Sequence, residues 1–159
     1  MSAMMQRFRV AAAFAAFVAV LPTESHAAPC SGSLKVTSTA VAFGNYNAAA
    51  APTTANGSIT VSCPGAAGTM PPFTIDLSTG GSGTYTPRRM TSGVPQLFYN
   101  LYTTSGYTTI WGDGTGGTSN VASAGGTNSE VFTVYGRIPS GQFVTPGIYT
   151  DTITATVTF

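Results

Sequence analysis

An all-β sandwich is the fold that this sequence predicts, and three observations predict it. β-Branched and aromatic residues recur in short runs between clusters of Gly, Pro, Asn and Ser. At the C-terminus, Tyr149, Ile153, Ala155, Val157 and Phe159 fall on one parity, while Thr150, Thr152, Thr154, Thr156 and Thr158 fall on the other. That is the period-2 pattern of a strand with one apolar and one wet face. Finally, no stretch beyond residue 27 carries a helical period.

The first 27 residues read as an export leader rather than as part of the domain. Arg7 and Arg9 form a positive start, Ala11 to Leu21 is apolar, and Ser25-His26-Ala27 offers small residues where signal peptidase reads. The expected cut falls after Ala27, which makes 28–159 the mature domain. The apolar run is shorter than the roughly 20 residues that span a bilayer, so a membrane span is not expected after cleavage. A lipid anchor on Cys30 is disfavoured by Pro29, which stands where a lipobox needs Gly, Ala or Ser.

Loss of the leader removes His26, the one histidine of the chain. Lys35, Arg88, Arg89 and Arg137 then face Asp76, Asp113, Glu130 and Asp151, a formal charge of zero. So neutral a domain lacks the electrostatic footprint of a nucleic-acid or anionic-lipid binder. Two cysteines remain, Cys30 and Cys63. In an oxidising compartment an even pair reads as a disulfide, and a loop of this length contributes ~3–4 kcal/mol in the chain-entropy model.

In chain order, strands are expected at Leu34–Thr37, Val41–Phe43, Ser58–Cys63, Phe73–Leu77, Leu97–Tyr102, Val131–Ile138 and Tyr149–Phe159, the last preceded by the turn signal Pro146-Gly147. Arg88-Arg89-Met90 reads as a loop whose arginine pairs with an aspartate or with carbonyl groups. The Gly/Thr/Ser-rich stretch 103–129 reads as a surface excursion with one short strand near Thr108–Trp111.

Catalytic constellations are missing. Without histidine or a free thiol there is no acyl-transfer set, and four scattered carboxylates are better read as surface and turn residues than as a glycosidase pair. An enzyme is therefore not expected, nor a cofactor. Two thiols alone do not make a metal site, and Asp113 among glycines is one acid where calcium needs about six oxygens. Tyr107, Trp111 and Asp113 form a candidate adhesive or sugar-binding loop, although a lone Trp in a small sandwich is more often packed than displayed.

Taken in order, Phe43-Gly44-Asn45-Tyr46, Gly57–Cys63, Arg89-Met90, Leu97–Tyr102, Trp111-Gly112-Asp113-Gly114, Tyr135–Pro139 and Pro146–Thr152 resemble the spore coat protein U domain, shared by subunits of archaic chaperone–usher pili. The resemblance covers essentially the whole mature chain. It implies an immunoglobulin-like, pilin-type β-sandwich that is incomplete and lacks its final strand. It further implies export to the periplasm and then the cell surface, with a periplasmic chaperone, an outer-membrane usher and other pilus subunits as partners. The donor-strand groove of such a fold would be bordered here by Tyr149, Ile153, Ala155, Val157 and Phe159. One departure stands out: fibre-forming relatives carry an alternating apolar donor segment before the first cysteine, whereas Ala28 and Pro29 alone separate the expected cut from Cys30. That points to a terminal or accessory subunit. A stand-alone secreted coat or glycan-binding domain is the alternative reading.

Overall fold

A computed structural model of the chain describes Cys30, residues 34–64 and residues 68–159. The expected leader, 1–27, lies outside the described residues.

Eight strands form: β1 (Lys35–Thr39), β2 (Thr53–Ser62), β3 (Phe73–Leu77), β4 (Arg88–Thr91), β5 (Gln96–Tyr102), β6 (Val121–Ser123), β7 (Ser129–Ile138) and β8 (Ala155–Thr158). They make an antiparallel five-stranded sheet in the order β1-β2-β7-β5-β4 and a three-stranded sheet in the order β6-β3-β8. The β2–β7 pair is the spine, running from Thr53 opposite Ile138 to Ser62 opposite Ser129. Alternation along these strands sends Ile59, Val61, Val134 and Ile138 inward, where they meet Phe73, Ile75 and Leu77 of β3. Burying each such side chain contributes about 1.5–3 kcal/mol. Phe73 and Phe132 meet edge-to-face at 5.8 Å between ring centres. Cys30 and Cys63 are disulfide-bonded, 33 residues apart in sequence, and so tie the start of the domain to the end of β2.

Several boundaries differ from the sequence expectation, each for a local reason. Val41–Phe43 is not a strand. It crosses the inner face of the five-stranded sheet where two glycines leave room: a Cβ on Gly57 would lie 2.6 Å from the Thr39 carbonyl oxygen, and one on Gly136 would lie 2.8 Å from Phe43 Cζ. Arg88–Thr91 is strand β4 rather than a loop, paired with β5 from Arg88 opposite Tyr99 to Thr91 opposite Gln96. Thr108–Trp111 contributes isolated bridges at Ile110 and Trp111, and the short strand of that excursion is β6 instead. The C-terminal strand is shorter than the Tyr149–Phe159 alternation suggests. Thr150 exchanges backbone bonds of 3.0 Å with Thr91 of β4, whereas Ser78 donates to the Thr154 carbonyl. The segment thus crosses from one sheet to the other before its ladder with β3 begins at Ala155.

One flank of the sandwich is closed by Trp111, which is 1 % exposed. Its backbone N–H donates to Leu101 of β5, and its indole Nε1 donates to the Ile75 carbonyl of β3 at 2.9 Å. Arg88, fully buried, locks this joint. Its Nε and Nη2 donate to the Ser78 carbonyl, Nη2 also to the Trp111 carbonyl at 2.8 Å, and Nη1 to Asn100 Oδ1 at 2.9 Å. Burial holds its pKa below the ordinary guanidinium value. The sequence expectation is a loop arginine, of Arg88-Arg89, paired with an aspartate or with carbonyl groups; Arg88 lies instead in a strand, and its carbonyl partners are in the core of the joint.

Arg88→Met should cost about 3 kcal/mol or more, because it strands buried acceptors on three segments; the shift of the urea midpoint measures it. Gly136→Ala should cost ~1–3 kcal/mol by the same assay, since a methyl group there must displace Val41 and Phe43.

Candidate functional site

The opposite flank is open. Among the described residues, β1 pairs with β2 alone, and β8 pairs with β3 alone. Every residue of β1 is exposed, including Val36 at 43 %, although its parity matches that of Val61 in the core. An apolar side chain on the inner face of a sheet stays wet only where nothing packs over it.

Between these two edges runs a groove. A cavity of about 660 Å³ has a floor of Ile59, Leu77, Met90, Tyr99, Leu101 and Val134. One wall is Val36 to Val41, and the other is Tyr149 to Ile153 with Ala155. A second cavity of about 670 Å³ shares Val41, Met90 and Tyr149 with the first and is bounded by 41–46 and 142–149. Together they make a channel that begins beside the open edge of β1 and continues between 41–46 and 142–149.

The wall formed by 149–155 is held by Asp151. Its Oδ2 accepts a 2.7 Å bond from the Tyr99 hydroxyl, and its Oδ1 accepts from the backbone N–H of Gly81 and of Thr152, both at 2.8 Å. Burial, then the bond to Asp151, pushes the Tyr99 hydroxyl far above the ordinary phenol range, so it remains a donor. Thr154 donates its N–H to Ser78 Oγ.

Tyr149, Ile153 and Ala155 thus lie in the groove wall. Val157 is half-buried opposite Ile75 and packs against the core. Phe159 is 66 % exposed and is not among the residues lining the two cavities. The floor residues on β2, β5 and β7 read from sequence only as strand residues, and Met90 of β4 reads as part of a loop. Their role as a floor depends on which strands pair, and no local pattern reports that.

The loop trio does not come together. Trp111 is interior, and its indole has a partner. Asp113 is exposed, with Oδ1 accepting from the Thr115 hydroxyl and N–H, which hold its carboxyl below the usual carboxylate range. Tyr107 stands on the other side of the five-stranded sheet, edge-to-face with Tyr102 at 5.6 Å. Among the described residues no three His, Cys, Asp or Glu side chains cluster as metal ligands, and no helix is long and apolar enough to cross a membrane.

These features define an all-β sandwich closed on one flank and open on the other, with an apolar channel between two free strand edges. The chain belongs to the Spore Coat Protein U domain family, whose profile matches residues 16–156. A chain in the crystal structure of the CsuC–CsuE chaperone–tip adhesion subunit pre-assembly complex, from archaic chaperone–usher Csu pili of Acinetobacter baumannii, is similar with a TM-score of 0.55 and 22% sequence identity. The likeness covers 80% of this chain and 39% of that one, so the present chain spans about two-fifths of its neighbour's length. At that identity it shows the shared sandwich fold. No curated protein matches the chain.

Asp151→Ala should release the 149–155 wall and cost roughly 3 kcal/mol, the range for charge-assisted bonds lost from a partly buried site. Hydrogen exchange at the Thr150 and Thr154 amides should speed up more than exchange along β2 and β7.

Proposed function

We propose that the groove between β1 and the 149–158 segment accepts a β-strand from another polypeptide, and that the protein is a subunit of a surface fibre built by the chaperone–usher route. The single observation that carries this reading is the pair of unpaired strand edges flanking an apolar floor. An inserted strand would satisfy backbone groups of both edges and cover Val36, which is 43 % exposed on the inner face of β1. A periplasmic chaperone supplies that strand first, and a neighbouring subunit replaces it at the usher. The role is structural or adhesive, not catalytic, and requires no cofactor. The leader sends the chain through the inner membrane to the periplasm, and the fibre carries it to the cell surface.

The same reading places the protein at a fibre end or as an accessory. A donor strand fills several pockets with alternate side chains and needs on the order of ten residues. Ala28-Pro29 between the expected cut and Cys30 is far too short, and Pro29 lacks a backbone donor.

Peptides of about ten residues with alternating apolar side chains should form one-to-one complexes with the full chain and raise its unfolding temperature. Ile153→Asp and Ala155→Asp place an uncompensated charge in the wall and should abolish capture, whereas Thr154→Asp, with its side chain exposed, should leave it nearly intact. Equal tolerance at all three positions would refute the groove. Fibre growth by the purified mature protein alone would refute the terminal role.

A further inference from the structure

The outer face of the five-stranded sheet has a composition that strand acceptance does not use. Directly paired residues in an antiparallel ladder share a face. The register therefore sets Tyr102 beside Tyr135 and Asn56, and Arg137 beside Thr54. Tyr107 completes the cluster from the loop after β5: its ring is 5.6 Å from that of Tyr102, and the Arg137 guanidinium lies 5.5 Å from its centre. Tyr102, Tyr107, Tyr135 and Arg137 are each half-buried, so rings and cation remain partly available to solvent.

Two independent features mark this cluster. Tyr107 is the one non-glycine residue among the described ones with a positive φ, 52°, in a turn held by bonds from its own N–H to Thr104 and from Thr103 N–H to Thr109. A bulky residue in that conformation is disfavoured, and such outliers concentrate at functional sites. The second feature is charge. By register, the strand positions on this face carry Lys35, Arg89 and Arg137 and no carboxylate, whereas Glu130 lies on the inner parity. A chain that balances four cations with four acids beyond its leader thus shows a one-signed face.

We infer that Tyr102, Tyr107, Tyr135 and Arg137 form a second binding site, for a carboxylate-bearing sugar chain of the polyuronate type. Flat aromatic rings take the C–H faces of pyranose units, and the hydroxyl and amide groups of Thr54 and Asn56 suit the ring hydroxyls. The guanidinium fork of Arg137 takes the carboxylate through two parallel hydrogen bonds. Trp111 takes no part, being sealed in the core. The site is separate from the groove and stands or falls independently of strand acceptance.

The test is calorimetric titration of the full chain with an oligogalacturonate and with the same oligomer fully methyl-esterified. The acid form should bind about tenfold more tightly than the ester, the scale of one well-placed charged contact. Arg137→Gln should erase that preference, and Tyr107→Ala should weaken both ligands by roughly tenfold. Lys35→Gln is the control, on the same face but eight residues along β2 in register, roughly 26 Å away at ~3.3 Å per residue; its affinity should be unchanged. Variants are scored only where the fluorescence of buried Trp111 shows the native fold, and Tyr107→Phe, which keeps the ring, replaces Tyr107→Ala if that variant fails and should then retain affinity. Absence of binding by the unaltered chain, equal binding of acid and ester, or equal losses in Lys35→Gln and Arg137→Gln would overturn the inference.

Discussion

The buried guanidinium of Arg88 bonds at once to the Trp111 carbonyl, the Ser78 carbonyl and the Asn100 side chain. These acceptors belong to the long excursion, to the end of β3 and to β5. Two sheets stacked face to face have no backbone bonds between them, so a sandwich flank needs a separate device to stay shut. Here the device is a cation whose five donors suit several carbonyls at once. Lysine, a compact point charge, would not reach three segments in fixed geometry. No carboxylate among the described residues bonds to this cation, and its desolvation is offset by carbonyl and amide dipoles and by the Tyr85 ring 5.0 Å away. Because the clamp holds one flank, the opposite flank can remain open without the layers separating.

That open flank is a hazard as well as an opportunity. Edge strands are commonly blunted by charge, proline or bulges. β8, with the sequence Ala-Thr-Val-Thr, has none of these, and β1 has only Lys35. Both edges are short, which limits the hazard, but their rows of threonine leave the backbone accessible. A stand-alone domain would gain from a charge in β8, and its absence there favours an edge kept for pairing.

Much of this was legible in the sequence. Alternation located β3 to the residue, because one face is buried and the other is wetter. β5 and β7 were located to within two residues as runs of apolar and aromatic residues, and in β5 the consecutive Tyr99, Asn100 and Leu101 are all buried. The disulfide followed from an even cysteine count in a chain whose start reads as an export leader. The misses share a physical cause. The expected strand begins only at Ser58 because the Thr-Thr-Ala-Asn-Gly before it has little apolar content, yet ten residues of β7 pair with β2 from Thr53 onward and carry that stretch as strand. Arg88 reads as a surface cation because burial of a charge depends on acceptors supplied from 10, 12 and 23 residues away. The stripe from Tyr149 to Phe159 has the right parity, but its partner changes midway from β4 to β3. Periodicity reports which face is apolar and is silent about which strand lies alongside. The same silence hid the groove floor.

The groove and the aromatic face are the two sides of one sheet, and a single register sets both. Along β7, Val134 points to the groove floor, Tyr135 to the outer face, Gly136 inward again and Arg137 outward. A slip of one residue against β2 would exchange every one of these positions. What forbids the slip lies at Gly57 and Gly136, the two inward positions where Val41 and Phe43 cross the sheet too closely to admit a Cβ. Moving β7 by one residue would present Tyr135 or Arg137 to that crossing, and neither fits. The segment 41–43, which fails to become a strand, therefore serves as a gauge. It fixes which residues line the groove and, by the same constraint, which ones face outward with Tyr107.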